Sequence, residues 1–126
     1  MREPGTQAMP HSNIVITGGA GLVGQNLLIK LLAQGHRNIV VFDKSSENLA
    51  IAADLHPGAS FMEVDLSLSG QWQDVVAKAD VIVMLHAQIG GNQPEAFYRN
   101  NVTATENVLC AAAESAYLVH VSSSVV

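Results

Sequence analysis

Three glycines stand at every third position in Thr17-Gly18-Gly19-Ala20-Gly21-Leu22-Val23-Gly24. An acid, Asp43, follows 19 residues after Gly24. Glycines of this kind after a strand and before a helix suit a dinucleotide pyrophosphate. Gly18 permits a sharp turn. Gly21 lacks a Cβ, so a phosphate can come close to the backbone. Gly24 lets a helix lie tightly on its strand. The N–H groups at the helix start then face the anion, aided by the helix dipole. A carboxylate about 20 residues further on, at the tip of a second strand, is placed for the hydroxyls of an adenosine ribose. The spacing is G-x-x-G-x-x-G rather than the commoner G-x-G-x-x-G, so the glycines alone carry little. Their order after a strand, before a helix and ahead of an acid carries more.

The elements that must hold these residues follow from the apolar pattern. Ile14-Val15-Ile16 predicts a first strand over about Asn13–Thr17, and Leu22 to Gln34 a helix that Gly35 stops. A second strand is expected over Asn38–Phe42. A short helix is expected over Ser46–Leu55, ahead of His56-Pro57-Gly58. A third strand is expected over Ala59–Val64, a short helix over Gly70–Lys78 and a fourth strand over Asp80–Leu85. Gly90-Gly91-Asn92 reads as a turn, followed by a long helix from about Gln93 to Ala116 with Pro94 in its first turn, and a fifth strand over Tyr117–Ser122. Regular alternation of strand and helix means parallel strands with right-handed crossovers. The expected fold is α/β: a Rossmann-like doubly wound parallel sheet, here its first five strands, in three αβα layers.

Composition agrees. The chain has 126 residues, 48% hydrophobic and 13% charged. The charged share is about half the usual ~25%, as expected where strands are covered on both faces. The net charge of −5 comes with no basic cluster, which argues against nucleic acid and anionic membrane as partners. The longest apolar run, Val81 to Leu85, is too short to cross a bilayer. Met1 to Ser12 has no signal-like apolar segment and reads as a disordered leader. The lone Cys110 excludes an internal disulfide, suits a cytoplasmic protein, and among Leu109 and Ala111 to Ala113 reads as a packed thiol. No metal-ligand spacing occurs.

Along the long helix, Phe97, Asn101, Ala104, Val108 and Ala112 share a stripe that is expected to face the sheet. A polar Asn101 there needs partners, either a neighbouring backbone loop or a bound ligand.

Taken together, Thr17 to Gly24, Asp43, Val64-Asp65-Leu66, Leu85-His86-Ala87, Tyr98-Arg99-Asn100-Asn101-Val102 with Thr105, and Ser122-Ser123-Ser124 resemble the N-terminal part of the NAD-dependent epimerases/dehydratases, the extended short-chain dehydrogenases/reductases. The resemblance spans nearly all of residues 13–126. It implies NAD as cofactor, with Gly18, Gly21, Leu22 and Val23 against the pyrophosphate. Asp43 would bind the adenosine ribose and disfavour the 2′-phosphate of NADP. Asp65 would accept from the adenine amino group, or simply cap a turn, and Leu66 would pack on the ring. His86 and Ala87 would line the cofactor, His86 as a contact rather than an acid or base. Asn101 would steady that region, Ser122 would lie near the nicotinamide, and Ser124 would hydrogen-bond the reacting oxygen of the substrate. The implied activity is hydride transfer between a sugar hydroxyl and NAD in a nucleotide-sugar epimerase or dehydratase. A 3β-hydroxysteroid dehydrogenase-type oxidoreductase and a non-catalytic NAD-binding regulator are the alternatives. The resemblance also implies pairing of two copies through helices that include the long one.

One departure stands out. The family takes its proton with a tyrosine that is followed by a lysine four residues later, placed after the serine run. Here Tyr98 and Tyr117 are followed at that distance by Val102 and Val121. The expectation is therefore a cofactor-binding portion over 13–126, lacking the Tyr-x-x-x-Lys and the substrate-binding part and inactive by itself.

Overall fold

The computed structural model describes residues 12–86, 95 and 99–121. Strands β1 (Asn13–Thr17), β2 (Asn38–Asp43), β3 (Ser60–Glu63), β4 (Val81–Met84) and β5 (Tyr117–His120) form one parallel sheet in the order β3-β2-β1-β4-β5. Helices α1 (Leu22–Ala33), α2 (Ser46–Leu55), α3 (Trp72–Ala77) and α4 (Ala104–Ala111) alternate with the strands, and a π-helical turn, Arg99–Thr103, leads into α4. Strand order reverses at β1, where the chain has gone outward to β3 and then crosses to β4. Ligands bind at such a switch point, beyond the carboxyl ends of the strands.

The alternation within each strand sorts the core into two layers. Ile14, Ile16, Ile39, Val41 and Val83 point to one face, where Leu28 of α1 covers them. Val15, Phe42, Ile82 and Met84 point to the other, against Trp72 and Val76 of α3 and Ala104 and Val108 of α4. Phe42 and Trp72 meet edge to face with ring centroids 6.3 Å apart. Sequence pattern and structure agree closely for α1, α2 and all five strands. The structure adds the cap of α2, where Ser45 Oγ accepts from Asn48 N–H at 3.2 Å.

The long helix differs from expectation. Its described part ends at Ala111, with Ala112 extended at φ −68°, ψ 143°, rather than at Ala116. The reason is the demand of the sheet. Tyr117 must enter the ladder opposite Val81, with its N–H on the Asp80 carbonyl at 2.8 Å. Three alanines gain too little from helix propensity to oppose that pairing. Ala112 and Ala116 still pack on the core, but from a link that turns so that Ala116 N–H donates to the Ala113 carbonyl at 3.1 Å. Cys110 is exposed rather than packed, because Ala104 and Val108 hold the buried side of α4. The Gly90-Gly91-Asn92 turn, the expected start of the long helix at Gln93, and Phe97 lie outside the described residues, as does the leader up to His11.

Candidate functional site

The tip of β2 holds the glycine turn in place. The Phe42 carbonyl accepts from Gly18 N–H at 2.7 Å and from Gly19 N–H at 3.2 Å. Asp43 Oδ2 accepts the next amide, Ala20 N–H, at 3.1 Å. Its other oxygen accepts Ser45 N–H at 3.0 Å. Three successive amides are thereby committed to β2, and Gln25 Nε2 donates to the Ala20 carbonyl at 2.9 Å on the far side of the turn.

Two glycines are demanded by contact. Gly18 has φ +68°, and a Cβ there would lie 2.7 Å from the His86 backbone. A Cβ at Gly24 would lie 2.3 Å from the Gly19 carbonyl oxygen, so α1 rests directly on the turn's backbone. Gly21 is different. Among the described residues, a Cβ there would meet nothing closer than the Gly18 carbonyl oxygen at 3.9 Å. It would project into open space at the head of α1. No side chain caps that end of the helix, and Leu22 and Val23 beside it are 80% and 63% exposed. The described atoms around Gly21 therefore do not themselves require a glycine there, unlike those around Gly18 and Gly24.

A cleft of about 350 Å³ opens beside the turn, between the carboxyl ends of β1 to β4. Gly18, Asp43, Lys44, Asp65, Leu66 and His86 are among its walls. Asp65 Oδ1 accepts from Ser67 N–H at 3.0 Å and Ser67 Oγ at 2.6 Å, so it does cap its own turn. Its Oδ2 lies 3.9 Å from Lys44 Nζ, a half-exposed pair across the cleft mouth. Leu66 is buried, and its carbonyl accepts from Asn107 Nδ2 at 2.8 Å, tying α4 to the loop after β3. Asn101 is half-buried in the π turn, with its carbonyl accepting from Thr105 Oγ1 at 2.7 Å. Ala87, Ser122 and Ser124 lie outside the described residues.

His86 is bound on both ring nitrogens. Nδ1 lies 2.5 Å from Thr17 Oγ1 and Nε2 lies 3.0 Å from Thr105 Oγ1. Burial, and to a lesser degree the charge of His120, lower its pKa from 6.5 to about 4. It is a neutral ring at neutral pH. Thr17, Thr105 and Asn107 are participants that carry no role in the sequence reading. Thr17 has an audible signal, a hydroxyl at the last position of an apolar strand. The partners of the other two lie 19 and 41 residues away; Thr105 stands in the motif that carries the resemblance but without a role, and Asn107 leaves no local trace.

The described residues contain no cluster of His, Cys, Asp or Glu able to hold a metal, and no helix long and apolar enough to cross a membrane.

Comparison with known proteins agrees with this geometry. A relative in Haloferax volcanii, the low-salt glycan biosynthesis protein Agl12, is 36% identical over 114 residues, which cover 82% of this chain and 36% of that protein. UDP-glucose 4-epimerase 2 of Oryza sativa subsp. japonica is 32% identical over 109 residues, covering 76% of this chain and 27% of the relative. The crystal structure of the Bordetella bronchiseptica enzyme WbmG in complex with NAD and UDP superposes with a TM-score of 0.70 at 30% identity, covering 87% of this chain and 37% of that one. The chain thus spans about a third of the length of the proteins it matches. The profile of the NAD dependent epimerase/dehydratase family matches residues 14–126, and the chain belongs to that family.

Proposed function

We propose that this chain binds NAD with its adenosine in the cleft beside Asp43 and its pyrophosphate at the head of α1, and that the protein is a nucleotide-sugar epimerase or dehydratase. The observation that carries the proposal is the open place at Gly21, bounded by an uncapped helix start and by a turn whose preceding amides are already tied to β2. The residues fit the cofactor. The amides of Leu22 and Val23 would hold the pyrophosphate. Each Asp43 oxygen accepts one backbone N–H and retains capacity for a ribose hydroxyl. Its charge opposes a 2′-phosphate, although Lys44 is its neighbour. Leu66 offers the adenine an apolar wall, and the outer oxygen of Asp65 a hydrogen-bond acceptor. His86, Ala87 and Asn101 would line the middle of the cofactor, and Ser122 its nicotinamide end.

When bound, NAD supplies a hydride acceptor for a sugar carbon that bears a hydroxyl, and returns the hydride after the sugar has been rearranged. Ser124 would hydrogen-bond the sugar oxygen that loses and regains its proton. The substrate class follows from the relatives, one named as a UDP-glucose epimerase and one crystallised with UDP.

Titration calorimetry with NAD and NADP tests the cofactor reading. Preference for NAD by about tenfold or more is expected from the carboxylate at position 43. Absence of binding to either, or preference for NADP, overturns it.

A further inference from the structure

The direction of the hydrogen bonds around His86 follows from the one that Thr105 gives to a carbonyl. Thr105 has a single hydroxyl proton, and it goes to the Asn101 carbonyl at 2.7 Å. Towards His86 Nε2, 3.0 Å away, Thr105 Oγ1 can then only accept, so Nε2 carries the ring proton. A neutral imidazole has one proton, which leaves Nδ1 bare. Thr17 is fully buried, and its hydroxyl donates to that bare nitrogen at 2.5 Å. The opposite tautomer would turn a bare Nε2 towards the lone pairs of Thr105 Oγ1, whose proton is already given to the Asn101 carbonyl.

The resulting chain, Thr17 to His86 to Thr105 to Asn101, crosses four elements. It joins the end of β1, the loop after β4, the first turn of α4 and the π turn before it. The backbone of His86 is also the surface on which Gly18 turns, since a Cβ at Gly18 would lie 2.7 Å from it. Displacement of the ring therefore shifts the support under the glycine turn.

We propose that His86 is a positioning residue: held as the neutral Nε2–H tautomer by Thr17 and Thr105, it locks the π turn to β1 and so fixes the glycine turn against the cofactor cleft. Its effect on NAD rests on the cofactor reading above, while its effect on the turn does not.

Three measurements on the protein test this. Long-range ¹H–¹⁵N correlation at pH 7 is expected to show His86 with a protonated Nε2 and a bare Nδ1. Thr105→Val, which removes the acceptor without changing shape, is expected to mix the tautomers and to speed exchange of the Gly18 amide about tenfold, with β2 amides unchanged. The same variant is expected to raise the Kd for NAD about fivefold, the loss of one hydrogen bond. Thr105→Ser keeps the hydroxyl and is expected to restore all three readouts. An Nδ1–H tautomer in the unaltered protein overturns the proposal without any variant. Wild-type Gly18 exchange in Thr105→Val overturns it as well. Failure of the unaltered protein to bind NAD sinks the cofactor reading alone, because tautomer and amide exchange still decide the role of His86.

Discussion

Replacing Gly21 with alanine separates what the glycine turn needs in order to fold from what it needs in order to bind. Gly21 has φ −79°, a conformation that alanine adopts freely. Its added methyl would find no atom of the described residues closer than 3.9 Å. Loss of backbone freedom in the unfolded chain stabilises Gly→Ala by about 0.4–1 kcal/mol at such a site. Alanine is a poorer residue than glycine at a helix N-cap, which opposes that gain by a comparable amount. Unfolding free energy is therefore expected to stay within about 1 kcal/mol of the starting protein. Affinity for NAD should fall by more than about tenfold, or ~1.4 kcal/mol, because the methyl occupies the place assigned to the pyrophosphate. Gly24→Ala is the counterpart. Its methyl would lie 2.3 Å from a carbonyl oxygen, more than 1 Å inside ordinary contact, with backbone rather than a flexible side chain in the way. Overpacking of this kind costs about 1–3 kcal/mol or more, beyond the ~1 kcal/mol that alanine gains in a helix. Denaturant unfolding and titration calorimetry on the two variants give the comparison. Unchanged NAD affinity in Gly21→Ala would refute the reasoning, as would severe loss of stability in that variant.

Asp43→Asn should raise the Kd for NAD and narrow the gap to NADP, since the repelling charge is gone; it should also cost about 1–2 kcal/mol of stability, because one of the two backbone amides then faces an amide nitrogen. An unchanged ratio of the two affinities, read by calorimetry, would remove Asp43 from cofactor choice. Stability should decline on acidification from about pH 6.5 to about pH 4, because the unfolded chain takes up a proton on His86 in that window and the folded one, with its pKa lowered to about 4, does not. The slope from this group is below ~1.4 kcal/mol per pH unit, discounted because the ring is only partly buried and solvent screens it. His120 on β5 and the cleft residues Asp43, Lys44 and Asp65 are the charged groups nearby, so the difference between the protein and its His86→Gln variant, followed by thermal melts, isolates the contribution. Absence of that difference would contradict it. In the whole enzyme, Ser124→Ala should lower kcat by at least about tenfold with little change in NAD affinity, checked by steady-state kinetics beside calorimetry.

The parts of the fold that could be read in advance are those set by local signals. Apolar runs mark the strands, His56-Pro57-Gly58 marks the end of α2, and Gly35 marks the end of α1. The cradle was legible for the same reason, because turn, helix start and Asp43 lie within one βαβ stretch whose spacing is geometric. The end of α4 was not legible. It is decided by where Tyr117 must pair, a constraint that the alanines before it do not express. The π turn inserts an irregular step before Ala104, so a stripe drawn with a single helical period from Phe97 to Ala112 could not hold throughout. The His86 bonds were invisible because Thr17 lies 69 residues away in sequence. Asp65 was weighed between turn and ligand, and the structure shows the turn, with the other oxygen 3.9 Å from Lys44 Nζ.

The anchoring of Gly18, Gly19 and Ala20 to Phe42 and Asp43 has a practical consequence for anyone who would move this site elsewhere. The glycine loop is not a portable peptide. Its shape is written half in β1 and half in the tip of a strand more than 20 residues downstream, so a transplant that takes residues 17–24 without 42–45 would arrive slack. By the same token, swapping the segment around position 43 to retarget the cofactor would retune the loop that it was meant to leave alone.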